Sequence, residues 1–281
     1  MGQAIKLVNS NFINRNIGIV HICKYDISYC TLYKYLIGDN NSWIDLGFKE
    51  SKDNIKKAWG KVIAPSSNHR FIIGNTRYLN ANSQIQSGIR VTPSNNTAYG
   101  PNAFFTSVDS TTFAAKDISQ YQPLLNDDQF IEIHSNGGEA PENKTYCKYT
   151  ITYNLYGKIV TKSHWGTLSN NHQSMNGDYN LILMGGYNNT TFAPCDNGIY
   201  VSRIYFEDIN NQADPNNPNY DLPGVGMPLD LVPCQLNRDI DGSLAFDGQS
   251  HSAGECGFVN FFNGKFYGST TATKGFSVSN Y

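Results

Sequence analysis

The chain has 281 residues, a formal net charge of −2, 16% charged residues and 40% hydrophobic residues. This hydrophobic content excludes a disordered chain, and the charge balance leaves no basic surface for nucleic acid. No apolar run approaches the roughly 20 residues of a membrane-spanning helix, so no membrane segment is expected.

The first part of the chain is predicted to form a small β-rich element. Short strand patterns cover residues 5–8, 17–22, 31–37 and 43–48. Residues 53–60 instead favour one or two turns of helix, because a polar residue at their start can cap the first free amides. A cluster of breaking residues at 65–68 then predicts a boundary between residues 64 and 77.

Longer strands are predicted after this boundary. Residues 151–156 alternate apolar and polar, and a Gly-containing turn leads to residues 159–162, which predicts a hairpin. Apolar runs at residues 180–184 and 198–206 are typical of core strands. Asn263 and Gly264 separate two aromatic runs and favour a type I′ turn, in which both central residues need a positive φ. Strands at short spacing predict a sandwich or a barrel.

The six cysteines are expected to be reduced, buried thiols. None forms a C-x-x-C pair, and none lies beside a His at metal-ligand spacing. Three disulfides would suit a secreted protein, but disulfide-stapled proteins are usually shorter and richer in Cys. The N-terminus has no basic segment followed by an apolar one, so we expect no signal peptide and synthesis in a cytoplasm.

No local pattern indicates catalysis. Glycoside hydrolysis needs two carboxylates that face each other across a sugar. Glu207 and Asp208 are adjacent, so they point to opposite faces of a strand, and Glu132 lies near a predicted turn. No H-x-H, H-E-x-x-H or Gly-x-Ser-x-Gly motif is present, although a triad assembled from distant residues stays open. We therefore expect no catalytic residue and no metal site.

Three residues are candidate ligand contacts. His164 lies beside Trp165, and this pair either packs at a strand end or forms a platform on which a sugar ring stacks. Tyr187 follows two glycines that are expected to form a turn between strands. The segment at residues 214–221 offers oxygen ligands suited to Ca²⁺ without the spacing of an EF-hand, and we favour a polar surface loop there. No other cofactor is expected.

The order of the segments resembles the laminin-G-like domains of phage tail, fibre and virion proteins. Residues 78–91 are similar to the family's opening strands, with Ser87 in place of the usual Thr. The matches that follow are residues 180–184, 198–206, 229–234, 242–247 and 257–268. The chain departs from the family by a longer insertion at residues 210–226 and an extra segment at residues 248–255.

This resemblance implies an all-β chain. Residues 71–281 would form a concanavalin-like, laminin-G-like two-sheet β-sandwich of the jelly-roll kind, and residues 1–70 an N-terminal element for attachment or oligomerisation. Residues 5–12 are also similar to the start of virion proteins from phages of gut Bacteroidota.

The resemblance also implies a non-enzymatic virion protein, such as a head decoration, fibre or tail-associated subunit. Its partners would be other capsid or tail proteins and further copies of itself, a trimer being one arrangement, and its outer ligand would be a host glycan. Two alternatives stay open. A bacterial surface carbohydrate-binding module or adhesin needs a signal peptide, and a glycoside hydrolase needs paired carboxylates.

Overall fold

A computed structural model describes residues 25–47, 54–62, 70–80, 83–91, 104–107, 113–116, 129–134, 145–155, 158–168, 180–188, 191–195, 198–208, 228–239, 241–243, 253–270 and 275–281. These residues contain strands and no helix. In chain order the strands are β1 (Cys30–Leu32), β2 (Tyr35–Ile37), β3 (Ile44–Asp45), β4 (Asn54–Val62), β5 (Arg70–Asn80), β6 (Ser83–Val91), β7 (Phe104–Ser107), β8 (Phe113–Lys116), β9 (Gln129–His134), β10 (Thr145–Leu155), β11 (Lys158–Leu168), β12 (Ile182–Leu183), β13 (Gly185–Asn188), β14 (Thr191–Pro194), β15 (Ile199–Asp208), β16 (Leu229–Leu236), β17 (Ala253–Asn260), β18 (Phe266–Ser269) and β19 (Ser277–Ser279).

Within the described ranges the strands form two larger sheets and one hairpin. The large sheet has the order β11-β10-β9-β4-β15-β16-β17-β18, with β1 beside β16, and with β2 beside β15 and β19. The second sheet has the order β3-β12-β5-β6-β7-β8, and β13 pairs with β14. The pairings along the large sheet are antiparallel.

One hydrophobic core joins the two larger sheets. The large sheet contributes Ile204 and Phe206, and the second sheet contributes Ile73 and Leu183, all at 0% exposure. Burial of this apolar surface is the main source of stability for two packed sheets. The chain is therefore all-β, with the layered arrangement of a β-sandwich. Its concanavalin or laminin-G type stays a prediction.

Three of the six segments that carry the resemblance lie next to one another in the large sheet, whereas residues 78–80, 83–91 and 182–183 fall in β5, β6 and β12 of the second sheet. Residues 198–206 fall in β15, residues 229–234 in β16, and residues 257–268 in the β17–β18 hairpin. These four strands are neighbours in the same order as in the sequence. The two predicted insertions lie wholly or mostly outside the described residues, as do the strands predicted at residues 5–8 and 17–22.

Strands before residue 70 belong to the same sheets as strands after it. β4 lies between β9 and β15, β2 pairs with β15, and β1 pairs with β16. Leu36, Ile44 and Ala58 lie in the shared core. β1 to β4 are thus built into the sandwich, and residues 1–24, 48–53 and 63–69 of the predicted N-terminal element are outside the described residues. The attachment role of residues 1–70 stays a prediction.

The predicted helix at residues 53–60 is wrong, because this segment forms β4. The strand is hydrogen-bonded along β15 on one edge and along β9 on the other. Its residues alternate, with Ala58 in the core and Lys57 and Trp59 on the other face. Pairing on both edges outweighs a weak local preference for helix.

The predicted hairpin around Asn263 and Gly264 is confirmed, but the predicted turn type is wrong. The amide of Asn260 donates to the carbonyl of Lys265, so residues 261–264 form a four-residue loop. Gly264 has a φ of 71°, whereas Asn263 is not among the non-glycine residues with positive φ. A type I′ turn needs positive φ at both positions. Asn260 at the end of β17 bonds across the longer loop, because its carbonyl accepts from the Gly264 amide and its Oδ1 atom accepts from the Phe262 amide.

Candidate binding face on the large sheet

One face of the large sheet carries a row of polar and aromatic residues that crosses six strands. Residues directly opposite each other in antiparallel strands share a face of the sheet. We call the row that these registers define the cross-sheet row. It contains Trp165, Lys148, Glu132, Lys57, Tyr205 and Asp230, one each from β11, β10, β9, β4, β15 and β16.

Along β4 and β15, three pairs of opposed residues place a cation near an aromatic ring. The Nζ atom of Lys57 is 5.6 Å from the ring centroid of Tyr205. The guanidinium carbon of Arg203 is 5.2 Å from the Trp59 ring. In the third pair the Lys61 Nζ atom is 5.1 Å from the Tyr200 ring. These distances are within the range of cation–π attraction.

We define the binding face as the described side chains on this part of the sheet. Its members are Lys57, Trp59, Lys61, Tyr200, Arg203, Tyr205, Glu207 and Asp230. Trp59 and Asp230 are buried, at 8% and 1% exposure, and the other members are half-buried. The face therefore has a buried floor and an upper layer of groups within reach of solvent.

A β-bulge in β15 brings Arg203 onto the binding face. Val201 stands opposite Gly60, and the next pairing joins Arg203 to Trp59, so Ser202 is left without an opposite residue. Val201 and Ile204 both lie in the core although they are three residues apart. The extra residue shifts the alternation of the strand by one position. The Ser202 Oγ atom is buried without a hydrogen-bond partner.

The strand opposite the bulge depends on a glycine. A Cβ atom added to Gly60 would lie 2.2 Å from the carbonyl oxygen of Tyr200 and 3.2 Å from the Cα atom of Val201. Both neighbours are backbone atoms that cannot rotate away. The close approach of β4 to the bulge therefore requires a residue without a side chain.

Arg203 and Asp230 form the fixed part of the face. The Arg203 Nε atom donates to Asp230 Oδ1 at 2.6 Å, and Arg203 Nη2 donates to Asp230 Oδ2 at 2.7 Å. The amide of Asp230 donates to the Asn260 Oδ1 atom at 3.0 Å, which ties the pair to β17. Two parallel bonds to a planar guanidinium restrict both side chains to one geometry. The pair balances its own charge.

Tyr205 and Glu207 form the accessible part of the face. The Tyr205 hydroxyl donates to Glu207 Oε2 at 2.7 Å. Burial raises the pKa of Tyr205 far above its ordinary value, and the hydrogen bond to Glu207 and the charges of Glu207 and Asp230 act in the same direction, against Arg203. The phenol therefore stays protonated around neutral pH and remains a hydrogen-bond donor.

The carboxylates that the sequence separates share one face of the sheet. Ile55 stands opposite both Glu207 in β15 and His134 in β9, and Glu132 is two residues before His134. Because residues two apart on a strand have the same orientation, Glu132 and Glu207 belong to the same face. The lack of a local carboxylate motif therefore does not decide whether two carboxylates meet.

The described residues give no metal site and no membrane span. No group of three or more His, Cys, Asp or Glu side chains in the described ranges could hold a metal ion. Within the same ranges, no helix is long and apolar enough to cross a bilayer. The predicted Ca²⁺-suited segment at residues 214–221 is outside the described residues.

The registers separate the three predicted ligand contacts. Trp165 lies in the cross-sheet row. His164 belongs to the adjacent row, which reaches Ala58 and Ile204 in the core, so the two neighbours are assigned to opposite faces. Tyr187 in β13 pairs with a residue of β14 in a different sheet. The backbone pairing therefore does not join the three residues into one site, and their roles in binding stay predictions.

Several members of the binding face were not predicted from the sequence, although local patterns point to two of them, Arg203 beside the bulge and Asp230. In β15 the apolar positions 199, 201, 204 and 206 change spacing from two to three, which is the pattern of a bulge. Asp230 lies between Leu229 and Leu231 in a buried strand, and a buried carboxylate needs a partner. The partner itself, Arg203, could not be named without the register.

Comparisons with known proteins give only distant likenesses. No family model and no curated protein matches the chain. Among solved structures, tailspike protein 2 from Escherichia coli O157:H7 bacteriophage CAB120 is similar, with a TM-score of 0.32, 10% identity, and coverage of 67% of this chain and 27% of the tailspike. The chain thus spans about a quarter of the length of that tailspike.

A second likeness is to scytalido-glutamic peptidase. The structure with a peptide-based transition-state analogue gives a TM-score of 0.25 and 11% identity, covering 85% of each chain. The structure with a transition-state analogue inhibitor gives a TM-score of 0.23 and 11% identity, covering 77% of this chain and 85% of the peptidase. Likenesses at these TM-scores assign neither a fold family nor a function.

Proposed function

We propose that the chain is a non-enzymatic structural subunit of a phage virion, such as a head decoration, fibre or tail-associated protein, and that it presents a glycan-binding face to the host. The observation that carries the proposal is the strand order of the large sheet. Three of the six segments that resemble phage laminin-G-like domains, residues 198–206, 229–234 and 257–268, fall in β15, β16 and the β17–β18 hairpin, and these strands are neighbours in that order.

The state of the charged groups supports a binding role over a catalytic one. Asp230 is held in two hydrogen bonds by Arg203, and Glu207 accepts a hydrogen bond from Tyr205. A general acid or base must be able to exchange a proton with a substrate. Asp230, held by two hydrogen bonds in a buried pair with Arg203, is better suited to fix the surface than to transfer protons.

The virion proposal is tested on purified particles. Phage that encodes this chain would be banded in a density gradient, and the particle proteins would be quantified by mass spectrometry against the major capsid protein. We expect a ratio of the chain to the capsid protein that is constant from one particle preparation to the next. Recovery of the chain only from the lysate, with none in the banded particles, would overturn the virion role. Immunogold labelling then separates head from tail.

A glycoside hydrolase is the second candidate, and it is favoured by one observation. The registers assign Glu132 and Glu207 to the same face of the large sheet. Release of reducing sugar that is lost in both Glu132→Gln and Glu207→Gln would establish this candidate in place of the non-enzymatic one. Unchanged polysaccharide after prolonged incubation would exclude it for the substrates that are tested.

A further inference from the structure

We infer that the binding face takes an uncharged oligosaccharide that lies along β15, with Tyr205, Glu207 and Lys57 as direct contacts. The inference rests on the proposed glycan-presenting function. It adds the site, the direction of the ligand and its charge class.

The shape of the face suits an extended ligand. The three cation–aromatic pairs follow one another along β4 and β15, from Lys57 and Tyr205 to Lys61 and Tyr200. From Tyr200 to Glu207 the strand extends over roughly 20 Å, at about 3.3 Å per residue. This length accommodates several sugar units in a row and is larger than a single monosaccharide needs.

The charges of the face nearly cancel. Among the described side chains Lys57, Lys61 and Arg203 carry three positive charges and Glu207 and Asp230 carry two negative ones, and Arg203 and Asp230 are paired with each other. A net charge of +1 creates only a weak potential, far below the basic surface that binding of a nucleic acid or an acidic polysaccharide requires. An uncharged ligand does not depend on this potential.

The hydrogen-bonding groups match sugar hydroxyls. A hydroxyl both donates and accepts, so neighbouring hydroxyls of one sugar can bond to an ammonium group and to a carboxylate at the same time. Lys57 supplies donors, the free lone pairs of Glu207 supply acceptors, and the Tyr205 ring supplies an apolar surface between them. Arg203 and Asp230 keep this upper layer in place from below.

The experiment uses the full-length protein and named probes. Binding to dextran, yeast mannan and galactan would be measured by affinity electrophoresis and calorimetry, with polygalacturonate and hyaluronate as acidic comparators. We expect at least one neutral polysaccharide to bind. Its affinity should not change between about 0.05 and about 0.5 M NaCl, a range that spans the roughly 0.1 M salt at which charges are screened beyond about 10 Å. Binding confined to the acidic polymers, or to none, overturns the inference.

Two variants locate the site, each with a matched control that makes the same chemical change elsewhere. Tyr205→Phe is compared with Tyr33→Phe, and Glu207→Gln with Glu255→Gln. Glu207→Gln removes a charged acceptor of sugar hydroxyls, and Tyr205→Phe keeps the ring but removes the hydrogen bond that orients the Glu207 carboxylate. Loss of one hydrogen bond involving a charged group weakens binding by about tenfold. We expect this loss in the two face variants and less than about a twofold change in the controls. Equal affinity in all four variants would place the ligand elsewhere.

The same variants separate this inference from the virion role. If Tyr205→Phe and Glu207→Gln are incorporated into particles normally but bind glycan as well as the wild type, only the inference about the face is overturned. If the wild-type chain binds a neutral glycan but is absent from particles, the face stands and the virion role is overturned.

Discussion

Arg203 in β15 and Asp230 in β16 are joined by two hydrogen bonds, of 2.6 and 2.7 Å, across neighbouring strands of the large sheet. The Asp230 side chain is 1% exposed and the Arg203 side chain 15%. A second pair, between Arg238 just after β16 and Glu255 in β17, is much more open, at 54% and 25% exposure. The two pairs have the same chemistry and differ in their access to water, which determines what each contributes.

Asp230→Asn should destabilise the protein strongly. The substitution keeps the size of the side chain but leaves the Arg203 charge without its carboxylate in a mostly buried place. Breaking a buried ion pair in this way costs about 3 kcal/mol or more of unfolding free energy. The control Glu255→Gln acts on the exposed pair and should cost less than about 1 kcal/mol. Urea denaturation measures both, and equal losses would contradict the difference in burial.

Gly60→Ala should disrupt the bulge in β15. The new Cβ atom would lie 2.2 Å from the Tyr200 carbonyl oxygen, so one of the two strands must move. We expect a loss of about 3 kcal/mol, at the upper end of what overpacking costs. Gly47→Ala is the control, because no atom lies within 4 Å of its Cβ position and only its φ of 74° opposes the change. That strain costs about 1 kcal/mol. Similar losses in thermal denaturation of the two variants would contradict the clash.

The individual core strands could be predicted from local sequence, and the binding face could not. β15 and β16 are rich in β-branched and apolar residues, so residues 198–206 and 229–234 indicate strands without any partner. β4 was not predicted as a strand, because the adjacent charged residues Lys56 and Lys57 interrupt the apolar pattern expected of a strand that is central in its sheet. Its identity as a strand depends on β9 and β15, which come much later in the chain.

The cross-sheet row depends on register in every strand that it crosses. A slip of one residue in β4 would exchange Lys57 for Ala58 on the face and remove the row. The local sequence does not indicate which residues of β9, β4 and β15 stand opposite one another. Glu132 and Glu207 were therefore weighed one at a time, although the sheet assigns them to the same face.

Stability should fall in alkaline solution partly because of one thiol. Cys30, Cys195, Cys234 and Cys256 are buried and free, as expected for these four, while the side chains of Cys23 and Cys147 are outside the description. Burial raises the pKa of Cys256 from 9.0 to about 11. Between these values the unfolded chain has lost the proton and the folded chain retains it, so stability decreases as pH rises.

Cys256→Ala tests this dependence. The variant should be less stable than the wild type at pH 8, because it loses buried atoms. Its stability should also fall less steeply between pH 9 and 11, so the difference between the two proteins becomes smaller. Urea midpoints at pH 8, 9.5 and 10.5 give the comparison. Parallel curves for the two proteins would show that this thiol does not contribute.

A fragment of residues 77–281 should not fold by itself. It lacks β4, which pairs with β15 from Asn54 to Val62 and with β9 on its other edge. It also lacks β1, β2 and the start of β5, so apolar core surface and two lines of backbone groups would be exposed. A fragment of residues 25–281 keeps every described strand and should unfold cooperatively. A cooperative transition in both fragments, followed by circular dichroism, would contradict this prediction.

The same fragment, residues 25–281, tests where the chain attaches to the particle. The division into an attachment element and a sandwich needs an anchor that can be removed without unfolding the rest. β1 to β4 do not qualify because they lie within the sheets. The first 24 residues are the part of the predicted element that remains as an anchor.

If the first 24 residues hold the chain to the virion, the 25–281 fragment should fold and bind glycan as the full chain does. It should nevertheless be absent from gradient-purified particles when it replaces the full chain during infection. The control is the full-length Tyr33→Phe variant, which should be incorporated at the wild-type ratio. Incorporation of the fragment at that same ratio would move the attachment surface onto the sandwich, where the insertion at residues 210–226 would be the next segment to delete.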